Sequence, residues 1–292
     1  MSTSVQVPVT VGARIKNILY ATDFSGYARQ ALPYAEALGR KFGACIHLCH
    51  VVTPSVVAVS APETGPYLYA AEQDSSKVEL QDMAAVLRKR GLPVQTQMPS
   101  GTLTDALTEV IRENAIDLVI AGTHGHTGMK HFLLGSAVEE ICRIAPCPVL
   151  TVGPLLSLRH AIRFPNILYP TDLSEQSRKA LPYVAEIAGQ YGSMVTVLYV
   201  LPLGHEAAPE KRVQARWRLQ ELQSLFGPEL QHVRHEFVVD FGGTADTILR
   251  VAAEKRAALI TLGLADADGI HLRSGIPYRV MARAHCPVLT VR

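Results

Sequence analysis

Residues 17–36 read NILYATDFSGYARQALPYAE, and residues 166–185 read NILYPTDLSEQSRKALPYVA. Twelve of the twenty positions are identical, at a constant offset of 149. The halves also close alike, with CPVLTV at 147–152 and again at 286–291. A period this long is no solenoid unit; it marks a duplicated domain. The junction falls near Gly153–Phe164, which gives domains at residues 1–153 and 164–292. Two domains also suit a chain of 292 residues at about 150 residues each, and each is large enough to bury a core.

Short apolar runs alternate with longer amphipathic stretches. In the first half the runs are Ile18–Ala21, Ile46–Val52, Val94–Met98, Leu118–Ala121 and Val149–Val152. They are too short for helices and rich in β-branched residues, so they read as strands. Helical periodicity fits Ser25–Phe42, Ser76–Arg90, Thr102–Asn114 and Ser136–Ile144. The second half repeats the strand pattern at Ile167–Tyr169, Met194–Val200, Glu236–Val239, Leu259–Leu262 and Val288–Val291. Near-continuous apolar strands separated by helices predict a parallel sheet covered on both faces. Right-handed crossovers make each half a doubly wound, Rossmann-like α/β domain. The Thr53–Ser75 stretch, with SAPETGP at 60–66, reads as a long surface loop, a lid being the alternative.

Composition excludes several classes. A net charge of +2 and scattered Lys and Arg give no general nucleic-acid footprint. No apolar run approaches the roughly 18–20 residues of a membrane span, and MSTSVQVPVT lacks the pattern of a signal peptide. Five cysteines without a Cys-x-x-Cys spacing argue against a disulfide framework and for a reducing cytoplasm.

In such sheets ligands bind beyond the carboxyl ends of the strands. Thr22-Asp23 follows the first strand there, and GTHGHTGMKHFLLGS at 122–136 follows the fourth and leads into the last helix. Gly122 and Gly125 let backbone turn tightly and approach an anion. Gly135-Ser136 opens a helix whose unpaired N–H groups favour negative charge. Asp23 suits a ribose hydroxyl, an adenine amine or a divalent cation rather than phosphate itself. His124 is a candidate phosphate donor, and His126, Lys130 and His131 lie in the same loop.

The spacing Gly122-x2-Gly125-x9-Gly135-Ser136 resembles the ATP-binding signature of universal stress proteins, and ILYATDFS and CPVLTV resemble that family's first and last strands. The resemblance covers nearly the whole chain, twice. It implies five-stranded parallel sheets of the adenine nucleotide α-hydrolase-like kind, binding ATP, with Mg2+ as a companion, between the first and fourth strands. It also implies that Asp23 and the backbone at Ala21 and Val51 meet the adenosine end. Ala121, Gly122, Gly125, Gly135, Ser136 and Ala137 would then surround ribose and phosphates. The family's last strand pairs domains edge to edge, so Val149–Val152 and Val288–Val291 are expected to pair within the chain, with a homodimer above that.

The second half departs from the signature. Asp172 and Gly263 match Asp23 and Gly122, but Asp266 stands at the place of Gly125 and Ser274-Gly275 at that of Gly135-Ser136. A carboxylate among phosphates would repel them, with Arg273 as a possible compensation. A structural role, or a different ligand, is expected there.

Cys45, His47 and Cys49 share a face of the second strand. Ligands along one strand splay rather than converge, so no metal site is expected. Cys142, Cys147 and Cys286 read as core or strand-edge residues. The helix near Glu206–Phe226 carries Lys211, Arg212, Arg216 and Arg218 around Trp217, and reads as a solvated amphipathic helix with Trp217 as its apolar anchor, a partner-binding face being the alternative.

The functional expectation is a nucleotide-dependent regulator or sensor in stress response, read by a regulatory protein partner. The alternatives are a slow ATP hydrolase and a scaffold that binds no nucleotide. The loop shows no evident acid and base pair, which disfavours the enzyme.

Overall fold

Successive residues of each apolar run enter opposite faces of one sheet. On the first strand Ile18 and Tyr20 join one hydrophobic layer and Leu19 the other, all three fully buried. The computed structural model describes residues 13–53, 63–123, 134–153, 162–203, 208–264 and 275–292. The first half runs β1 (Asn17–Ala21), α1 (Gly26–Phe42), β2 (Cys45–Cys49), α2 (Gly65–Lys89), β3 (Val94–Gln97), α3 (Leu103–Glu113), β4 (Leu118–Gly122), α4 (Ser136–Ile144) and β5 (Val149–Val152). The second runs β6 (Asn166–Pro170), α5 (Glu175–Arg178), α6 (Leu181–Tyr191), β7 (Met194–Leu201), α7 (Ala208–Leu230) and β8 (Arg234–Phe241). It ends with α8 (Thr244–Glu254), β9 (Leu259–Gly263), α9 (Ile276–Arg283) and β10 (Val288–Val291).

The strands form one ten-stranded sheet in the order β3-β2-β1-β4-β5-β10-β9-β6-β7-β8, which reads the same from either edge once the halves are equated. Pairing is parallel everywhere except at the centre, where β5 and β10 run antiparallel with Leu150 opposite Leu289. The Thr151 hydroxyl donates to the Val288 carbonyl and the Thr290 hydroxyl to the Val149 carbonyl, at 3.1 and 3.2 Å. Each half thereby covers the other's otherwise unpaired edge. Both hydrophobic layers run unbroken across this seam, one carrying Leu150 and Leu289 and the other Val149 and Val288.

The repeated Thr-Asp-x-Ser is a strand-to-helix turn. Thr22 Oγ1 accepts from the Phe24 N–H, Asp23 Oδ1 from the Ser25 N–H and Ser25 Oγ from the Ala28 N–H, capping α1. Thr171, Asp172 and Ser174 repeat all three bonds. The middle residues, Phe24 at φ 61° and Leu173 at φ 68°, are held in left-handed backbone that bulky side chains disfavour. The buried Tyr20 and Tyr169 hydroxyls donate to the Ala28 and Ser177 carbonyls in the first turn of each helix, and burial pushes the Tyr20 phenol up to about 12.

Two elements differ from the reading of the sequence, and one repeated segment diverges between the halves. Helix α2 begins at Gly65 with Pro66 in its first turn, well before Ser76, so residues 65–75 are helix rather than loop, while 54–62 lie outside the described residues. Its first turns touch little core: Tyr67 and Leu68 are exposed, and the apolar periodicity that signals a helix is missing there. The repeated Ala-Leu-Pro-Tyr is also used in two ways. Pro33 lies inside a continuous α1, whereas Pro182 opens α6 after a break from α5. Finally, Trp217 is no anchor, being 73% exposed on α7; Leu222, Phe226 and Leu230 are fully buried and hold that helix.

Candidate functional site

A cleft of about 270 Å³ opens beyond the carboxyl ends of β1, β2 and β4, bounded by the first turns of α1, α3 and α4. Ala21, Asp23, Val51, Ala121, Gly122, Gly135, Ser136 and Ala137 all line it. His124 and Gly125, with His126, Lys130 and His131, lie outside the described residues. So do Asp266 and Arg273 of the second half.

The topology explains the convergence. Strands β1 and β4 are neighbours, so Ala21 pairs with Ala121 and their following loops diverge to opposite faces of the sheet. Asp23 reaches the rim with Oδ1 engaged by the Ser25 N–H. The loop after β4 is closed at its base where the Gly135 N–H donates to the Thr123 carbonyl at 2.8 Å. Gly135 then caps α4 without a side-chain hydrogen bond, whereas Ser25 and Thr102 cap α1 and α3 with their hydroxyls. The first-turn N–H groups of Ser136, Ala137 and Val138 therefore have no helical acceptor and stand at the cleft, where they favour an anion.

Gly122 has a reason the loop spacing does not reveal. A Cβ there would lie 2.8 Å from the Tyr27 carbonyl oxygen, and one at Gly263 would lie 2.3 Å from that of Gln176. Both glycines let the strand end pass beneath the first turn of the following layer, and Gly263 does so in a half that lacks the loop signature. Gly122 is thus a packing residue that also lines the cleft.

His50 belongs to the cleft and escaped the sequence reading, because a single His at a strand end has no motif around it. Its Nδ1 lies 2.9 Å from the Thr22 carbonyl, an acceptor only, so Nδ1 carries the proton. Its ring packs against Phe24 with centroids 4.5 Å apart, forming one wall.

The second half differs at its helix end. The residue that caps α9 is Gly275, so Gly275 takes the place of Gly135 and Ile276-Pro277 that of Ser136-Ala137. The sequence alignment placed Ser274-Gly275 there; α9 is one residue shorter than α4, which shifts the match. Pro277 has no N–H, and Ile276 offers no hydroxyl, so this terminus has fewer donors for an anion. Asp172 is held ionised: burial opposes the charge, but hydrogen bonds from the Ser174 hydroxyl and N–H outweigh it and keep the carboxyl below its usual range.

Among the described residues no group of three or more His, Cys, Asp or Glu converges as a metal site. Cys45, His47 and Cys49 do share a face, with His47 and Cys49 buried. Burial lowers the His47 imidazole and raises the Cys49 thiol to about 12. No described helix is long and apolar enough to cross a membrane.

Known proteins agree with this architecture. The profile of the Universal stress protein family matches residues 14–153 and again 163–292. Universal stress protein MJ0531 of Methanocaldococcus jannaschii is 29% identical over 139 residues, covering 47% of this chain and 81% of that protein. Universal stress protein A homolog 1 of Coxiella burnetii is 29% identical over 138 residues, covering 47% and 95%. In fold, a universal stress protein from Archaeoglobus fulgidus superposes with a TM-score of 0.72 at 19% identity, over 94% of this chain and 96% of that one. Matched twice by one family profile, and built as two Rossmann-like domains in tandem, the chain belongs to the universal stress protein family.

Proposed function

We propose that the first cleft binds an adenine nucleotide, ATP with Mg2+, and that the protein works as a nucleotide-dependent regulator or sensor in stress response. One observation carries the reading. Eight residues expected at the nucleotide line a single cleft, at the foot of a helix whose N–H groups are left uncapped. In this reading Ala21, Val51 and Asp23 hold the adenosine end, with His50 as a ring wall. Ser136, Ala137 and Val138 offer N–H groups to the phosphates. A Mg2+ ion would travel on the phosphates, with Asp23 as the one carboxylate among the described residues that line the cleft. The bound nucleotide would fix the loop after β4, and a protein partner would read that conformation. A location in the cytoplasm fits this role.

The second half suggests the test. Ala137→Pro copies Pro277 into the first cleft and removes one N–H, at a first-turn position where proline is tolerated in a helix. Calorimetric titration should show ATP binding weakened at least about tenfold, from a lost charge-assisted hydrogen bond of ~1.5–3 kcal/mol. Adenosine binding should change little. Undiminished ATP affinity in a folded Ala137→Pro protein would remove α4 from the site.

A further inference from the structure

The pairing of β5 with β10 uses up the edges at which the halves meet, so the sheet ends on β3 and β8. These outer strands hold equivalent places in the two halves and are built differently. Strand β3 is four residues long, and Pro99 follows closely. Strand β8 is eight residues long, contains no proline, and pairs with β7 in one unbroken register from Met194↔Arg234 to Leu201↔Phe241. A long, regular edge is a ready template for another strand, and proteins ordinarily blunt it with a short strand, a proline or a lysine. Strand β8 has none of these.

The backbone shows which groups that edge presents. The Gly242 N–H donates to the Leu201 carbonyl of β7 at 2.9 Å, so the even-numbered residues turn their backbone toward β7. The N–H and C=O groups of His235, Phe237 and Val239 therefore point away from it, and none of them meets a strand among the described residues. At both ends of the edge a side chain of β8 itself stands in for a partner strand. The Phe241 N–H donates to Asp240 Oδ1 at 2.7 Å, and His235 Nδ1 donates to the Val233 carbonyl at 3.0 Å.

We propose that two copies of the chain pair edge to edge through β8, antiparallel about Phe237, joining their sheets into one. Charge selects both the occupant and the register. A two-fold axis normal to the sheet keeps every side chain on its own face, so it passes through a residue and not between two. The axes that keep most of β8 paired pass through Phe237 or Val238. About Val238, Glu236 falls opposite Asp240 twice, and like charges directly opposite are destabilising. About Phe237, Arg234 falls opposite Asp240 twice, and no like charges meet. In that register His235, Phe237 and Val239 exchange their outward backbone bonds across the seam. Arg234 and Asp240 then stand in the non-hydrogen-bonded pairs, where side chains come closest. Asp240 is held for this contact, with Oδ2 fixed by Arg250 of α8 at 2.7 Å. Arg234 is exposed at the other end of the strand, with one nitrogen on the Gly192 carbonyl.

The test is sedimentation equilibrium of the full-length protein from about 5 to about 200 µM. A reversible monomer–dimer equilibrium with a micromolar dissociation constant is expected, as suits a small contact. Arg234→Asp sets carboxylates opposite each other at both ends of the seam and should weaken the dimer at least about tenfold. Arg234→Lys keeps the charge and should stay within about threefold of wild type. Val239→Pro removes an outward N–H that β7 does not use, so the fold should persist while the dimer is lost. Should Val239→Pro lower the melting temperature sharply, the two Arg234 variants decide alone. A protein that stays monomeric over this range overturns the proposal, as does a dimer that Arg234→Asp leaves intact, since Arg234 faces no charge about Val238. Oligomers that grow beyond the dimer also overturn it, because a contact between β8 and a partner's β3 does not close.

Discussion

The phenol of Tyr278, on α9 of the second half, accepts a hydrogen bond from the Leu134 N–H of the first half at 3.2 Å. Leu134 directly precedes Gly135, the cap of α4, whose own N–H closes the loop onto Thr123. The tie runs one way, because the matching third position of α4 is Val138, which has no hydroxyl. One half thus holds the foot of the other's glycine loop.

Tyr278→Phe keeps the ring and removes the acceptor. Leu134 is buried, so its N–H would be left without a partner, at a cost of about 1–3 kcal/mol. ATP affinity is expected to fall about fivefold in calorimetric titration. The native far-ultraviolet circular dichroism should persist. Wild-type affinity would show that the second half does not position the loop.

Gly122→Ala and Gly263→Ala test the packing role of these glycines. Both put a Cβ against helix backbone, at 2.8 and 2.3 Å, so each should lose roughly 1–3 kcal/mol in urea denaturation. Gly263→Ala should cost at least as much as Gly122→Ala, although it lies in the half that lacks the nucleotide signature. A neutral Gly263→Ala would mean that the strand end does not pass so close to α5.

His47 links stability to pH. Its ring is buried, with Nε2 3.4 Å from Asn17 Oδ1 and Nδ1 without a partner, and burial holds it below the ordinary 6.5. The unfolded chain therefore takes up a proton near pH 6.5 that the folded chain refuses. The stability His47 contributes is intact above pH 6.5 and is lost as pH falls below it, with a slope of at most ~1.4 kcal/mol per pH unit. Urea midpoints at pH 7.5 and 5.5 should differ less in His47→Leu than in wild type. An equal slope in both would show that His47 does not carry this dependence.

Much of this architecture is legible in the sequence because duplication prints it twice. The offset repeat and the paired CPVLTV segments locate β1, β6, β5 and β10, the family resemblance implies that the last two pair, and the β-branched runs locate the rest. The cleft residues are legible to the extent that they carry a motif. Asp23, Gly122, Gly135 and Ser136 do, whereas His50 faces the first cleft from just past the end of β2 with no pattern around it. The first turns of α2 and the outward Trp217 were missed for one shared reason. Periodicity reports burial, and neither packs on the core. The packing role of Gly122 and Gly263 needed the neighbouring helix turn, which lies about a hundred residues away in sequence.

The most direct measurement is nucleotide stoichiometry: acid extraction and chromatography of the purified protein, then calorimetric titration of stripped protein with ATP and magnesium. The account predicts one ATP per chain, bound in the first cleft and weakened by Ala137→Pro. Two ATP per chain would contradict the reading of the second half as a structural partner or a site for a different ligand, and no binding at all would contradict the central claim.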